Sequence, residues 1–234
     1  MKQRSLALLA RDALVACLHN IVPIAIALLG GLAITLVARL TLLTDTQSYL
    51  LFELIVQPII TAVLYALVSP RIPLTSTRIH HGIERAWAVI LLDFALSFIQ
   101  TLAVGSIQTN SFLDALLGGI LLSATAFLIF ADVDAVIGSH PTLLGLIPVA
   151  LIRSVRTASQ RGIYLRAYFI LILQLAIFAA GVALTGALSH RVSADLAGFI
   201  VPVAVGLATL PLMATFTALV YAEATAPRES AEDE

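Results

Sequence analysis

Two aspartates one residue apart, Asp132-Val133-Asp134, are a pair whose type and spacing could do chemistry. Two carboxylates can hold a divalent metal or steer a phosphate when they turn to one side. On a helix, residues i and i+2 differ by about 200°, so these two point apart. Ion pairing with Arg153 and Arg156, or plain hydration, accounts for them with less. Asp93 stands about two turns beyond Trp87, inside an apolar run, and is the best single candidate for an inward-facing polar partner. Glu53 and Asp114 stand nearer the ends of apolar runs, within reach of water. Such residues are the natural functional candidates, because a charge at the bilayer centre costs at least about 2.5–3.5 kcal/mol. Gln57, Gln100 and Gln174 also sit in apolar runs, where interhelical hydrogen bonds of about 0.6 kcal/mol are the usual reason. His80-His81 and Glu84 supply too few ligands for a metal site. No metal and no cofactor is expected.

The signatures of membrane enzymes are missing. There is no Gly-x-Ser-Gly before an apolar run, no His-Glu-x-x-His and no Asp-Gly-x-x-Ala-Arg run. A Gly-x-x-x-x-Gly-Lys-Ser/Thr phosphate loop is also lacking. The lone Cys17 excludes an intrachain disulfide framework and an all-cysteine metal site. The chain is therefore expected not to be an enzyme.

These residues are positioned by apolar helices. The composition is 60% hydrophobic and 12% charged, with mean hydropathy +1.02. A soluble domain carries about 25% charged residues, so this chain could not cover a water-facing surface. An all-α polytopic membrane protein follows, with spans at about 21–43, 49–68, 87–107, 112–137, 167–188 and 196–222. Polar, partly amphipathic segments at about 5–19, 75–85 and 143–162 read as surface helices. The membrane domain covers residues 1–226, and the acidic tail 227–234 reads as disordered. Arg11 and Asp12 interrupt the first apolar run, so no cleaved signal peptide is expected. The paired Gly30-Gly31 predicts close helix contact or a flexible point. Pro58, Pro202 and Pro211 predict kinks, and Pro70 with Pro73 a helix stop.

Basic residues set the orientation. With the N-terminus inside, eleven lie on the cytoplasmic side: Lys2, Arg4, Arg11, Arg71, Arg78, Arg85, Arg153, Arg156, Arg161, Arg166 and Arg228. Only Arg39 and Arg191 lie opposite. The positive-inside rule then places both termini in the cytoplasm and the protein in the cell (inner, cytoplasmic) membrane. The most basic stretch is Leu146–Tyr168. Arg153, Ser154, Arg156, Thr157, Gln160 and Arg161 fall on one side of its helix. Leu151, Ile152, Val155, Ala158 and Gly162 fall on the other, as in a helix lying at a membrane surface.

RDALVACLHN, TRIHHGIERA and IRSVRTASQRGIYLRA each precede an odd-numbered span. Pro58 and Tyr65 in the second span correspond to Pro211 and Tyr221 in the sixth. The pattern suggests a threefold helix-hairpin repeat with a period of roughly 70 residues.

Three pieces carry a family likeness. ALIRSVRTASQRGIYLRA has Ala150, Leu151, Arg153 and Ser154 where an Ala-Leu-Arg-Arg-Ser-Trp stretch is usual, with Val155 in the aromatic's place. Pro211-Leu-Met-Ala to Leu219-Val-Tyr221 and RDALVACLHNIVP are the other two. In these pieces the chain resembles the six-helix membrane domain of some glycerophosphoryl diester phosphodiesterases and related uncharacterised bacterial membrane proteins. The resemblance implies no catalytic residues, because none is established for such membrane domains, and the phosphodiesterase barrel, which needs about 200–250 residues of its own, is not expected in this sequence.

The leading functional expectation is a non-enzymatic membrane protein that organises lipids or a partner protein through its basic face. Arg153, Arg156, Arg161 and Arg166 would touch anionic headgroups, each for about 1 kcal/mol. A possible protein partner would lie in the membrane, and no nucleic-acid partner is expected. The alternative is a small transporter or permease subunit with a polar path including Asp93. Glu53, Asp132 and Asp134 are its other intramembrane candidates. A membrane-bound lipid-modifying enzyme comes third.

Overall fold

The structure, a computed structural model, describes residues 4–41, 43–69, 75–108, 111–138, 145–160 and 162–226. Every element among them is helical. The elements are α1 (Leu6–His19), α2 (Ile21–Thr41), α3 (Asp45–Leu51), a π segment (Phe52–Val56) and α4 (Gln57–Val68). They continue with α5 (Thr75–Ile107), α6 (Phe112–Leu128), α7 (Ala131–Ile137), α8 (Leu146–Ala158), α9 (Ile163–Ser189) and α10 (Ala194–Thr225). Six stretches are long and apolar enough to cross a membrane: Ile21–Thr41, Thr46–Val68, Ser76–Ile107, Phe112–Ile137, Ile163–Ser189 and Leu196–Thr225. Each exceeds the ~20 residues needed at 1.5 Å per residue. The chain is a multi-pass integral membrane protein.

Large apolar side chains cover its outside. Val22, Ile26, Leu40, Phe112 and Leu165 are exposed, as suits a surface bathed in lipid rather than water. Fully buried large side chains include Leu64 and Leu67 of α4, Phe130 at the break before α7, Val133 of α7, Leu146 of α8 and Val220 of α10. Small residues let the helices approach. A Cβ on Gly31 would come within 2.5 Å of the Ile60 side chain, so the expected close contact is real at Gly31. Gly30 faces open space.

All three returning helices start on a hydroxyl cap. Thr44 Oγ accepts from Gln47 N–H, with the Gln47 side chain returning a bond to Thr44 N–H. Ser111 does the same for Asp114 N–H and Ser193 for Leu196 N–H. Each satisfies a donor that the first helical turn leaves orphaned.

At the other end of the bundle, basic side chains satisfy orphaned carbonyls. Arg78 donates to Leu67 O at 2.8 Å, near the end of α4. The His81 ring nitrogen Nε2 lies 2.7 Å from Val136 O, near the end of α7. Arg4 N–H donates to Glu223 Oε1 at 3.0 Å, so the first and last helices meet at this end, as an even number of crossings requires.

Several boundaries differ from the sequence reading. The expected surface helix 75–85 and the third span form one helix of 33 residues, about 50 Å long. Nothing between Arg85 and Trp87 can break it. The fourth span is interrupted at Ile129 and Phe130. The basic helix stops at Ala158, not 162, because Gly162 turns the chain in the left-handed region at φ 86°. Surface helix and span are thus separate elements in the first and third thirds of the chain, and fused in the second. Lys2, Pro70 to Pro73, His140-Pro141, Arg161 and the tail 227–234 lie outside the described residues.

Candidate functional site

A cavity of about 750 Å³ lies inside the bundle, walled by the second to sixth spans. α2 contributes none of the residues that line it.

The second span supplies Tyr49, Glu53, Gln57, Thr61 and Tyr65, every fourth residue. On a regular helix, side chains four apart drift by about 40° per step, about 160° from Tyr49 to Tyr65. Such a stripe would wind off the cavity. The π segment prevents this, because its wider turn holds an extra residue and takes back about 100°. Its cause is Pro58. Proline brings no N–H and its ring crowds the carbonyl four residues earlier, that of Leu54. Gln57 N–H instead bonds Phe52 O, five residues back. Gly206 on α10 admits this bulge: a Cβ there would meet the Phe52 ring at 3.3 Å and Gln57 Oε1 at 3.5 Å.

The other walls follow helical spacing. Asp93, Ser97 and Gln100 share one face of α5. Gln174, Gly181 and Thr185 come from α9, and Pro202, Gly206, Thr209 and Thr217 from α10. Thr125 and Asp132 come from the two halves of the fourth span. Tyr65, Thr61, Thr125, Asp132 and Thr217 are buried and close one end, whereas Gly186 on α9 is exposed toward the other. From Tyr49 to Tyr65 the lining runs about 24 Å along the second span.

The carboxyl groups are the chemical core of the site. Asp93 and Asp132 lie within hydrogen-bonding reach of each other, with Tyr65 close to both. Asp132 is only 6% exposed, and its Oδ1 has no hydrogen-bond partner. Nearer the open end, Glu53 sits within reach of the Tyr49 hydroxyl. No Lys, Arg or His among the described residues lines the cavity. Nor do the described residues contain three clustered His, Cys, Asp or Glu side chains able to hold a metal ion.

Asp132 and Asp134 point apart, as their spacing requires, and of the two only Asp134 meets one of the expected arginines. Asp134 is fully buried, accepts a hydrogen bond from the Tyr221 hydroxyl and lies 3.9 Å from Arg153. Asp132 turns to Asp93 rather than to an arginine, because α7 presents its other face to α5. Asp114 remains exposed at the start of α6. His80 pairs with Glu84 at 3.1 Å, one turn on, away from the cavity.

The break that aims Asp132 is held by the basic helix. Ser154, completely buried, accepts from Phe130 N–H at 3.1 Å and donates to Phe127 O at 2.8 Å. One hydroxyl thus satisfies a donor and an acceptor at the interruption. Ser154 and Thr157 therefore face the bundle, while Ile152 and Val155 face outward. The buried side of α8 carries Leu146, Ala150 and Ala158 beside the two hydroxyls, and the exposed side carries Ile152 and Val155 together with Arg156.

The four arginines do not form one surface. Arg166 is buried, not surface-lying: it pairs with Glu223 at 3.1 Å and donates to Arg4 O. It enters the bundle because it sits on the first turn of α9, against the ends of α1 and α10. Arg153 and Arg156 border an open groove of about 520 Å³ with Gln160, Tyr221 and Thr225. Arg161 lies outside the described residues.

No protein-family model matches the chain, and no curated protein or solved structure is detectably similar to it.

Of the residues singled out in the sequence, the structure gathers Asp93, Glu53, Asp132, Gln57, Gln100, Gln174 and Pro202 on one cavity. Tyr49, Thr61, Ser97 and Thr217 were missed. The signal for two of them was present in the every-fourth polar spacing from Tyr49 to Tyr65. Ser154 was read as part of a surface face.

If Ser154 holds the fourth span in its broken form, Ser154→Ala leaves two buried backbone groups without it, a loss of about 1–3 kcal/mol. Thermal unfolding of the purified protein should show a lowered midpoint. Ser159→Ala, at the exposed end of the same helix, should leave the midpoint within error of the parent. Equal effects would contradict the role given to Ser154.

Proposed function

We propose that this protein is a small transporter or permease subunit and that its solute occupies the cavity containing Asp93 and Asp132. The observation that carries the reading is the cavity itself. A bundle with only structural polar residues would pair them helix to helix and stay dry between them. Here three carboxyls, three glutamine side chains and several hydroxyls face one space. A volume of about 750 Å³ falls within the usual range of roughly 300–1,000 Å³ for small-molecule sites. Polar side chains at membrane depth commonly mark solute or ion paths. With the basic end of the bundle in the cytoplasm, the closed end is cytoplasmic and the open end faces outward. The reading assigns no catalytic step.

Reconstitution into liposomes tests this. Stopped-flow light scattering against a panel of small polyols, amides, amines and carboxylates should show faster entry of at least one class than empty liposomes do. Asp93→Asn should reduce that rate. Rates equal to those of empty liposomes across the whole panel would remove the transport reading.

A second reading is favoured by the groove at the end of α8. Arg153 and Arg156 there, with Gln160 and Thr225, suit an anionic headgroup, and each cation near an anionic surface contributes about 1 kcal/mol. In this reading the basic face organises lipid around the bundle. The double variant Arg153→Ala, Arg156→Ala should then co-purify with less anionic lipid than the parent. Unchanged lipid content would leave those arginines with intramolecular roles only.

A further inference from the structure

We propose that the cavity is a binding site for a small organic cation, an amine whose ammonium group sits on the Asp93–Asp132 pair. This rests on the cavity being a solute site, and adds the class of solute.

The first ground is charge. The lining has three carboxyl side chains, Glu53, Asp93 and Asp132, and the described lining holds no basic side chain. In a low-dielectric surrounding, a cation gains from such a wall and an anion is repelled by it. Elsewhere in the protein two largely enclosed acids have cations close by. Glu223 has Arg166 at 3.1 Å, and Asp134 has Arg153 at 3.9 Å. For the cavity acids the described lining provides none.

The second ground is hydrogen bonding. Asp132 is 6% exposed, and its Oδ1, without a hydrogen-bond partner, belongs to a residue lining the cavity. Buried acceptors are ordinarily satisfied. An ammonium group supplies up to three N–H donors to one small region. Asp93, Asp132, Thr61 and Thr125 offer acceptors at the closed end of the cavity.

The third ground is size and polarity. A bare metal ion would want several converging ligands at about 2.0–2.6 Å, and the described residues contain no cluster of three. The space is also far larger than one ion needs. Its remaining wall, including Leu96, Ile177, Leu210 and Met213, is apolar. That combination accommodates a carbon body attached to a positive head. α5 and α9 both line the cavity without a packed interface between them, so an amphiphilic amine also has a side approach from the lipid.

The test uses the full chain in nanodiscs of uncharged lipid, with three probes of one shape. These are 2-phenylethylammonium, neutral 2-phenylethanol and anionic 3-phenylpropanoate, accompanied by methylammonium and sodium as size controls. Isothermal titration calorimetry should show saturable binding of 2-phenylethylammonium. The neutral and anionic probes should bind at least about tenfold more weakly, a difference of one decade in dissociation constant. Asp132→Asn should weaken the cation by about tenfold or more and leave the neutral probe unchanged. If that variant does not fold, Asp93→Asn serves, and the comparison of the three probes on the parent protein decides by itself. Equal binding of cation and alcohol overturns the cationic class while leaving a solute cavity in place. Preference for sodium over both ammoniums overturns the organic class. Saturable binding by none of the probes overturns the proposal, and the liposome fluxes then report separately on whether the cavity carries any solute.

Discussion

A polar group inside a bilayer has no water to turn to, and this constraint organises the protein. Backbone groups meet it by forming helices. Side chains must meet it with one another, with ordered water or with a ligand. At the two ends of the bundle the solution is local. Thr44, Ser111 and Ser193 cap the three returning helices at one end. Arg78, His81 and the Arg4–Arg166–Glu223 cluster tie carbonyls and charges together at the other. Between the ends, polar residues from five spans converge on a single interior space.

Two irregularities make that convergence geometrically possible. The π segment before Pro58 corrects the winding of the second span, so that five polar residues spread over four turns share one face. The break at Ile129 and Phe130 reorients α7, so that Asp132 meets Asp93 while Asp134 is held by Tyr221 and Arg153. Each irregularity would leave backbone groups exposed, and each has a local remedy. The Gln57–Phe52 bond closes the first. The Ser154 hydroxyl closes the second. The most basic helix in the chain is therefore coupled to the cavity through its one deeply buried serine. Ala150 and Ser154 are among the residues α8 buries.

Much of the architecture was legible because its signals are strong and local. Six apolar runs of sufficient length, the glycine contact at Gly31 and the divergence of Asp132 and Asp134 all follow from composition and helical angle. The cavity was legible only in parts. Asp93, Glu53 and the three glutamines each stood out as polar residues in apolar runs, yet nothing local says that they meet. The stripe from Tyr49 to Tyr65 looked dispersed because an ideal helix would disperse it, and a π turn is hard to foresee from one proline. The inward turn of Arg166 depends on Glu223, 57 positions later, and on the Arg4 carbonyl, so its burial could not be read from its neighbours.

If one face of the second span borders an aqueous or ligand-filled space inside the membrane, single cysteines placed from 48 to 66 in a Cys17→Ala background, in native membranes, will report it. Each is then exposed to a small membrane-impermeant thiol reagent. Labelling is expected at 49, 53, 57 and 61, declining toward the closed end at 65. Positions 50, 54, 55 and 59 should stay unlabelled. Labelling confined to the loop end, or recurring at the 3.6-residue period of a helix without the π turn, would contradict it.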